Sequence, residues 1–179
     1  MLIKYRPVKE GSSALLNDYQ ISNLCEHMGS LHQNLKWKLL YSLNEHGTSM
    51  NTFLEKLKFQ DSTLLVIEDK HGWKFGGFCH EEWQVNSKNF YGTGENFVYT
   101  FKDGDEITVS NATGENFMFQ FCDRKCIGLG GGVIGGRFAV YLGSDFLRGS
   151  SAKTECFDNE QLSKKPDFIC VDMEVWGFE

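Results

Sequence analysis

Short segments in which large apolar side chains alternate with other residues recur along this chain, and they constrain its fold most. The clearest are FVYTF (97–101) and FMFQF (117–121), whose aromatic residues each occupy a single face: Phe97, Tyr99 and Phe101, then Phe117, Phe119 and Phe121. A period of two is typical of a half-buried β-strand. The chain holds 15 Phe and 4 Trp but only 2 Pro, a composition that favours strands joined by compact turns.

Further strands are predicted on both sides of these two segments. LKWKLLYSL (35–43) alternates, TLLVIED (63–69) and WKFGGFC (73–79) flank the turn DKHG, and FAVYLG (138–143) with FLRG (146–149) suggests another hairpin. NATG (111–114) holds turn residues between the two aromatic segments. In the final segment, FICVDMEVWGF, we expect Ile169, Val171, Met173 and Val175 to share one face.

Two helices are predicted near the start of the chain. Asn17 is a good N-cap, and Gln20 lies where it can complete a capping box before an apolar stripe that ends near Gly29. Ser49 caps a second, shorter helix with Met50 and Phe53 on one face. Runs of strands without intervening helices indicate antiparallel sheet. The predicted fold class is therefore α+β, with two antiparallel sheets packed as a sandwich and short flanking helices.

The segment GLGGGVIGGRF (128–138) holds six glycines within nine residues. Gly130, Gly132 and Gly135 match a dinucleotide-binding pattern, and Gly131 with Gly136 has P-loop spacing. Both patterns work through a helix N-terminus that follows the glycines, whereas here the strand-like FAVYLG follows. We therefore expect no bound nucleotide, and we expect the glycines to let the backbone bulge or pack closely. Val133 and Ile134 interrupt the run and are expected to change the shape of this loop.

Charge and targeting signals narrow the classes of partner. The formal net charge of −6 argues against nucleic acid and against an anionic membrane surface. No apolar stretch approaches the length of a membrane span, and the first residues lack the apolar core of a signal peptide. We therefore expect a cytoplasmic protein with six reduced cysteines and no membrane insertion. Its length favours one domain over residues 14–179, after a loose leader over residues 1–13.

The chain resembles the TLDc domain, the module shared by oxidation-resistance proteins. The most specific stretch is FYGTGENFVYTF (90–101). Around it stand, in order, WKLLYSLNEHGTS (37–49), FGGF (75–78), TGENFMF (113–119), the glycine run, LGSDFLRG (142–149), TECFDNEQLSKKPDF (154–168) and VDMEVWGFE (171–179). The resemblance covers residues 14–179 and implies a sandwich of two antiparallel sheets with flanking helices.

The resemblance also implies a function. TLDc proteins are linked to protection from oxidative stress, and several bind the vacuolar proton pump (V-ATPase) and regulate its assembly or activity. We therefore expect a protein partner, either V-ATPase subunits or another large assembly, that recruits this chain to an organelle membrane or a cytoskeletal structure. The family has no settled reaction, so no cofactor is expected.

The residues leave catalysis and partner binding open as alternatives. Glu45 and His46 would be the acid–base pair of an enzyme, but a turn in which His46 bonds the backbone is the favoured interpretation. The loop Gly92-Thr93-Gly94-Glu95 is predicted to be a tight turn that needs positive φ, and it can also recognise a partner. Asp145 and Arg148 are expected at an exposed hairpin, where they join His46 as candidate partner contacts.

Cysteine and histidine patterns suggest weaker alternatives. Cys122 and Cys126 enclose Arg124 and Lys125, and cationic neighbours lower a thiol pKa, as a redox sensor requires. Against this, Cys122 continues a strand, where a buried thiol is ordinary. His80, Glu81 and Glu82 lack the second histidine of a zinc-protease motif, so no metal site is predicted, and we expect a solvated strand end there.

Three functions therefore remain open from the sequence. The first is a non-catalytic interaction module that binds through the loops of the sandwich. The second is a direct redox protein that uses Cys122 or Cys126. The third is a permanent structural subunit of a large cytoskeletal or ciliary assembly.

Overall fold

The computed structural model describes residues 2–86, 88–132 and 135–179. Within these ranges the helices are α1 (Asp18–His27), α2 (Leu43–His46) and α3 (Met50–Lys56). The strands are β1 (Lys9–Glu10), β2 (Trp37–Ser42), β3 (Thr63–Asp69), β4 (Lys74–Cys79), β5 (Phe97–Lys102), β6 (Thr108–Asn111), β7 (Gln120–Cys122), β8 (Cys126–Leu129), β9 (Val140–Gly143), β10 (Arg148–Ser150) and β11 (Asp167–Phe178).

Two sheets share the long strand β11. The first runs in the order β1-β2-β11-β3-β4-β5-β6, and the second runs β11-β10-β9-β8-β7. Among the described strands, every pairing is antiparallel except that of β1 with β2, which is parallel. The predicted α+β sandwich of antiparallel sheets with short helices is confirmed.

Strand β3 shows how the first sheet is buried on both faces. Leu65 and Ile67 belong to the larger core, which lies between the sheets and includes Leu129 and Val140 of the second sheet. Leu64 and Val66 point the opposite way, into a smaller core covered by α1. This two-sided burial explains the continuous apolar run TLLVIED, since each face of the strand meets a packed layer.

The predicted helix caps are confirmed. Asn17 accepts a hydrogen bond from the backbone N–H of Gln20, and the Gln20 side chain accepts one from the backbone N–H of Asn17. Ser49 Oγ accepts from the backbone N–H of Thr52 at the start of α3. The segment LKWKLLYSL ends as a strand at Ser42, because Leu43 begins the short helix α2 rather than extending β2.

The prediction that four apolar residues of β11 share one face is wrong. Met173 and Val175 are buried in the larger core, but Ile169 is 44% exposed and Val171 50% exposed. The pairing of β11 with β3 shifts register between Cys170 and Asp172. A bulge of this kind adds one residue and reverses which face the following side chains occupy.

The aromatic segment FMFQF is also only partly a strand. β7 begins at Gln120, Phe117 is 79% exposed, and Phe119 is buried. The partner of β5 on its outer side is instead β6, which pairs Phe97 with Asn111 and which the sequence patterns did not predict.

The glycine run is a close-packed segment, as predicted. Gly128 lies in β8, and a Cβ there would be 2.5 Å from the ring of Phe138. A Cβ on Gly132 would overlap the carboxylate of Glu155, an anionic neighbour that suits no phosphate. The run leads into strand β9 and not into a helix. Val133 and Ile134, expected to alter the loop, lie outside the described residues.

The first residues, predicted to be a loose leader, contact the sheet and α1. The backbone N–H groups of Lys4 and Tyr5 donate to Ser22 Oγ in α1, and Lys9–Glu10 forms β1. Ser13 Oγ donates to Glu174 of β11 over 2.7 Å.

Candidate functional site

The loop Gly92–Glu95 is an exposed turn held by its own backbone. Gly92 has a φ of +99°, as predicted for this turn. Thr93 Oγ1 accepts a hydrogen bond from the backbone N–H of Glu95, and the carbonyl of Thr93 accepts from the N–H of Asn96. Gly94 and Glu95 are exposed, so a partner can reach the tip of the loop.

Residues that follow β4 clamp this loop to the sheet. Glu81 Oε2 accepts from the backbone N–H of Gly92 over 3.1 Å. His80 Nε2 lies 3.1 Å from Glu95 Oε2, and the backbone N–H of His80 donates to Asn96 Oδ1 over 2.9 Å. The Glu95 carboxylate therefore faces the imidazole of His80. The loop is therefore fixed at both ends by one short segment.

Two buried amide side chains hold these contacts in place. Asn96 is 1% exposed and Gln120 is fully buried. Asn96 Nδ2 donates to Gln120 Oε1 over 3.4 Å, and Gln120 Nε2 donates to the carbonyl of Glu81 over 3.2 Å. Sequence reasoning missed both amides, because they lie 24 residues apart and no local pattern relates them.

The segment His80-Glu81-Glu82 is more than a solvated strand end. All three residues are half-buried, and each makes a specific contact. In addition to the bonds above, Glu82 Oε1 accepts from the backbone N–H of Phe59 over 2.6 Å. The expectation of a solvated end failed because the side chains anchor two neighbouring loops.

Glu45 and His46 lie on α2, where the basic nitrogen of the imidazole is already occupied. His46 Nδ1 accepts from the backbone N–H of Ser42 over 3.0 Å, and its ring stacks on Tyr41. With Nδ1 accepting, the neutral ring carries its proton on Nε2 and offers no free base there. A surface groove of about 660 Å³ lies beside these residues, lined also by Lys38, Asn51 and Glu55.

Asp145 and Arg148 lie in the β9–β10 hairpin, as predicted. Asp145 Oδ1 accepts from the backbone N–H of Leu147 over 3.0 Å, so its carboxylate shapes the turn. Arg148 is exposed and pairs with Ile169 of β11. Phe146 between them is fully buried and contacts Tyr41, the residue on which His46 stacks.

The predicted partner contacts thus form two separate groups. The Gly92–Glu95 loop lies at the end of the first sheet where Cys79 pairs with Thr63. His46, Asp145 and Arg148 lie at the other end, where Asn44 of α2 contacts Asp172 and Asp172 pairs with Glu68. Six residues of β3 between these ends span about 20 Å. A single small contact cannot use both groups.

The two thiols suggested for redox chemistry are buried. Cys122 is fully buried and Cys126 is 6% exposed. Burial, together with the nearby Asp123 carboxylate, raises the pKa of each thiol to about 12. Arg124 and Lys125 were expected to lower these values, but burial dominates. Thiolate is the reactive form of cysteine, so both thiols are poor nucleophiles at neutral pH.

All six cysteines are free thiols, and each is buried. Because of this burial, we expect all six to resist alkylation in the folded protein. The rate of labelling by iodoacetamide at pH 7.5, measured by mass spectrometry of the intact protein, is expected to be at least about a hundredfold lower for the native protein than in guanidinium chloride. The denatured chain is the control, because it must take up six labels. Rapid native labelling of Cys122 or Cys126 would restore the redox hypothesis.

Other ligand classes find little support among the described residues. Residues 2–86, 88–132 and 135–179 contain no group of three or more His, Cys, Asp or Glu side chains placed to hold one metal ion. In the same part of the chain, no helix combines the length and apolar character needed to cross a bilayer.

Comparison with known proteins places the fold in a family. The TLDc domain family model matches residues 9–179. The chain is 41% identical to nuclear receptor coactivator 7 of Homo sapiens over 174 residues, which is 97% of this chain and 18% of that protein. It is 39% identical to oxidation resistance protein 1 of Homo sapiens over 176 residues, 98% of this chain and 20% of that protein. The chain thus spans about a fifth of the length of these relatives, and by its sequence, from β1 to its last residue, it belongs to the TLDc domain family.

Proposed function

We propose that this chain is a non-catalytic interaction module, linked to oxidative-stress resistance, that binds V-ATPase subunits and regulates the pump. Membership of the TLDc family and the similarity to oxidation resistance protein 1 support the link to oxidative stress. The proposed site of action is the cytoplasmic side of an organelle membrane, reached through the protein partner.

The observation that carries the proposal is the exposed but firmly held Gly92–Glu95 loop. A loop that is already fixed in one conformation loses little entropy when a partner binds it. Here the contacts from His80, Glu81 and Asn96 fix the backbone, while the side chain of Glu95 remains 66% exposed. Such an arrangement suits recognition better than catalysis, for which the described residues around the loop offer no activated nucleophile.

Reversing one charge on this loop tests the proposal. We expect Glu95→Lys to reduce the recovery of pump subunits by the purified protein at least about tenfold, because an interfacial charge reversal creates repulsion where attraction existed. The measurement is a pull-down from lysate with quantitative mass spectrometry of the pump subunits.

Asp167→Lys is the matched control. Asp167 is an exposed carboxylate at the start of β11. It lies past Asp69, at the end of β3 that is far from the Gly92–Glu95 loop. The Asp167→Lys variant is expected to leave the recovery of pump subunits unchanged. If the unmodified protein recovers no pump subunits while all are present in the lysate, the proposal is wrong. If both variants lose recovery of pump subunits equally, the loop does not form the interface.

A further inference from the structure

A groove with many hydrogen-bond acceptors lies directly beside the Gly92–Glu95 loop. It has a volume of about 460 Å³, and we call it the acidic groove. It is lined by Leu31, His32, Leu35, Asp61, Ser62, His80, Glu81 and Glu82. Neither Lys nor Arg is among these lining residues. Glu95 extends the groove at the loop side through its contact with His80.

Among the described residues, the carboxylates of the acidic groove have no lysine or arginine partner. Glu81 and Glu82 each receive one backbone N–H, and Glu95 faces His80. Among the described residues, no Lys or Arg forms an ion pair with any of these three or with Asp61. Each carboxylate offers about four acceptor positions, so most of this capacity is unused. Four neighbouring carboxylates without a lysine or arginine partner favour a positively charged ligand.

Two imidazoles in the same groove also lack a partner on one nitrogen. His32 is only 9% exposed, its Nε2 lies 3.1 Å from Ser62 Oγ, and its Nδ1 has no hydrogen-bond partner. His80 uses Nε2 toward Glu95, and its buried Nδ1 has no partner either. The rings lie 5.6 Å apart, so the unpartnered atoms belong to one cluster.

His32 does not supply the positive charge that the acidic groove lacks. Burial, and then the neighbouring His80, lower the pKa of the His32 imidazole below its ordinary value. The ring is therefore neutral at neutral pH and adds no positive charge to compensate the carboxylates.

The kind of cation follows from the spacing of these groups. The described residues form no group of three or more His, Cys, Asp or Glu side chains placed to hold one metal ion, so an organic cation is the better match. An arginine side chain suits such a surface, since its planar guanidinium carries five donors and binds carboxylates in pairs. Exposed apolar side chains border the groove: Leu31 is 81% exposed, and Phe59, which donates to Glu82, is 79% exposed.

We propose that the acidic groove binds an arginine side chain from a basic segment of the protein partner, with apolar residues of that segment packed against Leu31 and Phe59. This inference rests on the proposed function, because it supplies the recognition chemistry for the same loop surface. Charge complementarity carries it, and the unpartnered imidazole nitrogens support it independently.

A short peptide tests the groove without the pump. The probe is acetyl-Leu-Arg-Gly-Arg-Leu-amide, titrated into ¹⁵N-labelled protein at low salt. Its control is the same peptide with citrulline in place of arginine, which keeps the shape and removes the charge. We expect amide shifts centred on residues 80–82 and 92–95 with the arginine peptide only. The double variant Asp61→Asn, Glu82→Gln is expected to weaken binding about tenfold, whereas Asp167→Asn leaves it unchanged.

The outcomes separate this inference from the proposed function. Equal binding of the citrulline peptide, shifts scattered over all surface carboxylates, or unchanged binding by the double variant would overturn the acidic groove as an arginine site. If pump subunits are still recovered in those cases, the proposed function stands alone. If the arginine peptide binds as expected but no pump subunit is recovered, the groove stands and the pump is the wrong partner.

Discussion

Substitution of Gly76 by alanine is expected to destabilise the first sheet strongly. Gly76 lies in the middle of β4, between Val66 of β3 and Tyr99 of β5. A Cβ there would overlap the carbonyl oxygen of Leu65 and lie 2.8 Å from its carbonyl carbon. Tyr99 Oη reaches over the glycine to donate to that same carbonyl over 2.9 Å. Because the clashing atoms belong to the backbone, they cannot move to another rotamer as a side chain can.

We expect Gly76→Ala to lower the free energy of unfolding by about 3 kcal/mol or more, at or above the upper end of the usual cost of overpacking. For a domain of this size, the thermal midpoint Tm should fall by at least about 6–12 °C. Calorimetry or circular dichroism during heating measures it. Gly94→Ala is the control, since Gly94 has an ordinary φ and nothing within 4 Å of its Cβ position. A Gly76→Ala protein that melts like the Gly94→Ala control would contradict the packing described.

Period-two patterns predict which segments are strands but do not locate the bulges between them. TLLVIED and FVYTF form β3 and β5 as predicted, because their side chains meet packed layers along the whole strand. In β11 the pattern fails at Cys170–Asp172, where a register shift moves Ile169 and Val171 to the outside. Such a shift arises from hydrogen bonding with a neighbouring strand, which the sequence of one strand does not encode by its side-chain period.

The candidate site, too, could be predicted only in part from the sequence. The turn residues of Gly92–Glu95 reveal an exposed loop, because glycine and threonine have local conformational roles there. The groups that hold it come from separate parts of the chain: Glu81 follows β4, Asn96 precedes β5 and Gln120 begins β7. They meet only when the sheets have formed. Their spacing in the chain matches no motif. The unpartnered imidazoles of the acidic groove follow likewise from tertiary packing, since His32 and His80 are 48 residues apart.

Glu174→Ala is expected to detach the N-terminal segment and to destabilise the whole domain. The Glu174 side chain is buried on β11 at 2% exposure. It accepts hydrogen bonds from Ser13 Oγ, from the backbone N–H groups of Ala14 and Leu15, and from Trp176 Nε1. Truncation leaves Trp176 Nε1 buried without an acceptor, whereas the N–H of Leu15 keeps a second acceptor in Ser13 Oγ. An orphaned buried donor costs about 1–3 kcal/mol and a lost hydrogen bond to a charged group about 1.5–3 kcal/mol, so we expect a loss of about 4 kcal/mol.

A loss of that size should lower Tm by about 8–16 °C. Hydrogen exchange distinguishes detachment from general loosening, because the amides of residues 14–16 should lose protection before those of β3. Glu174→Gln, which keeps one acceptor oxygen but turns an amide NH₂ toward the remaining donors, should fall between the alanine variant and the unmodified protein. Glu179→Gln removes a carboxylate that pairs at the surface with Lys36 and Lys38 and should leave Tm unchanged. If Glu174→Ala melts like Glu179→Gln, residues 13–15 are not held by this carboxylate, and the contact between the first residues and the sheet must depend on β1 alone.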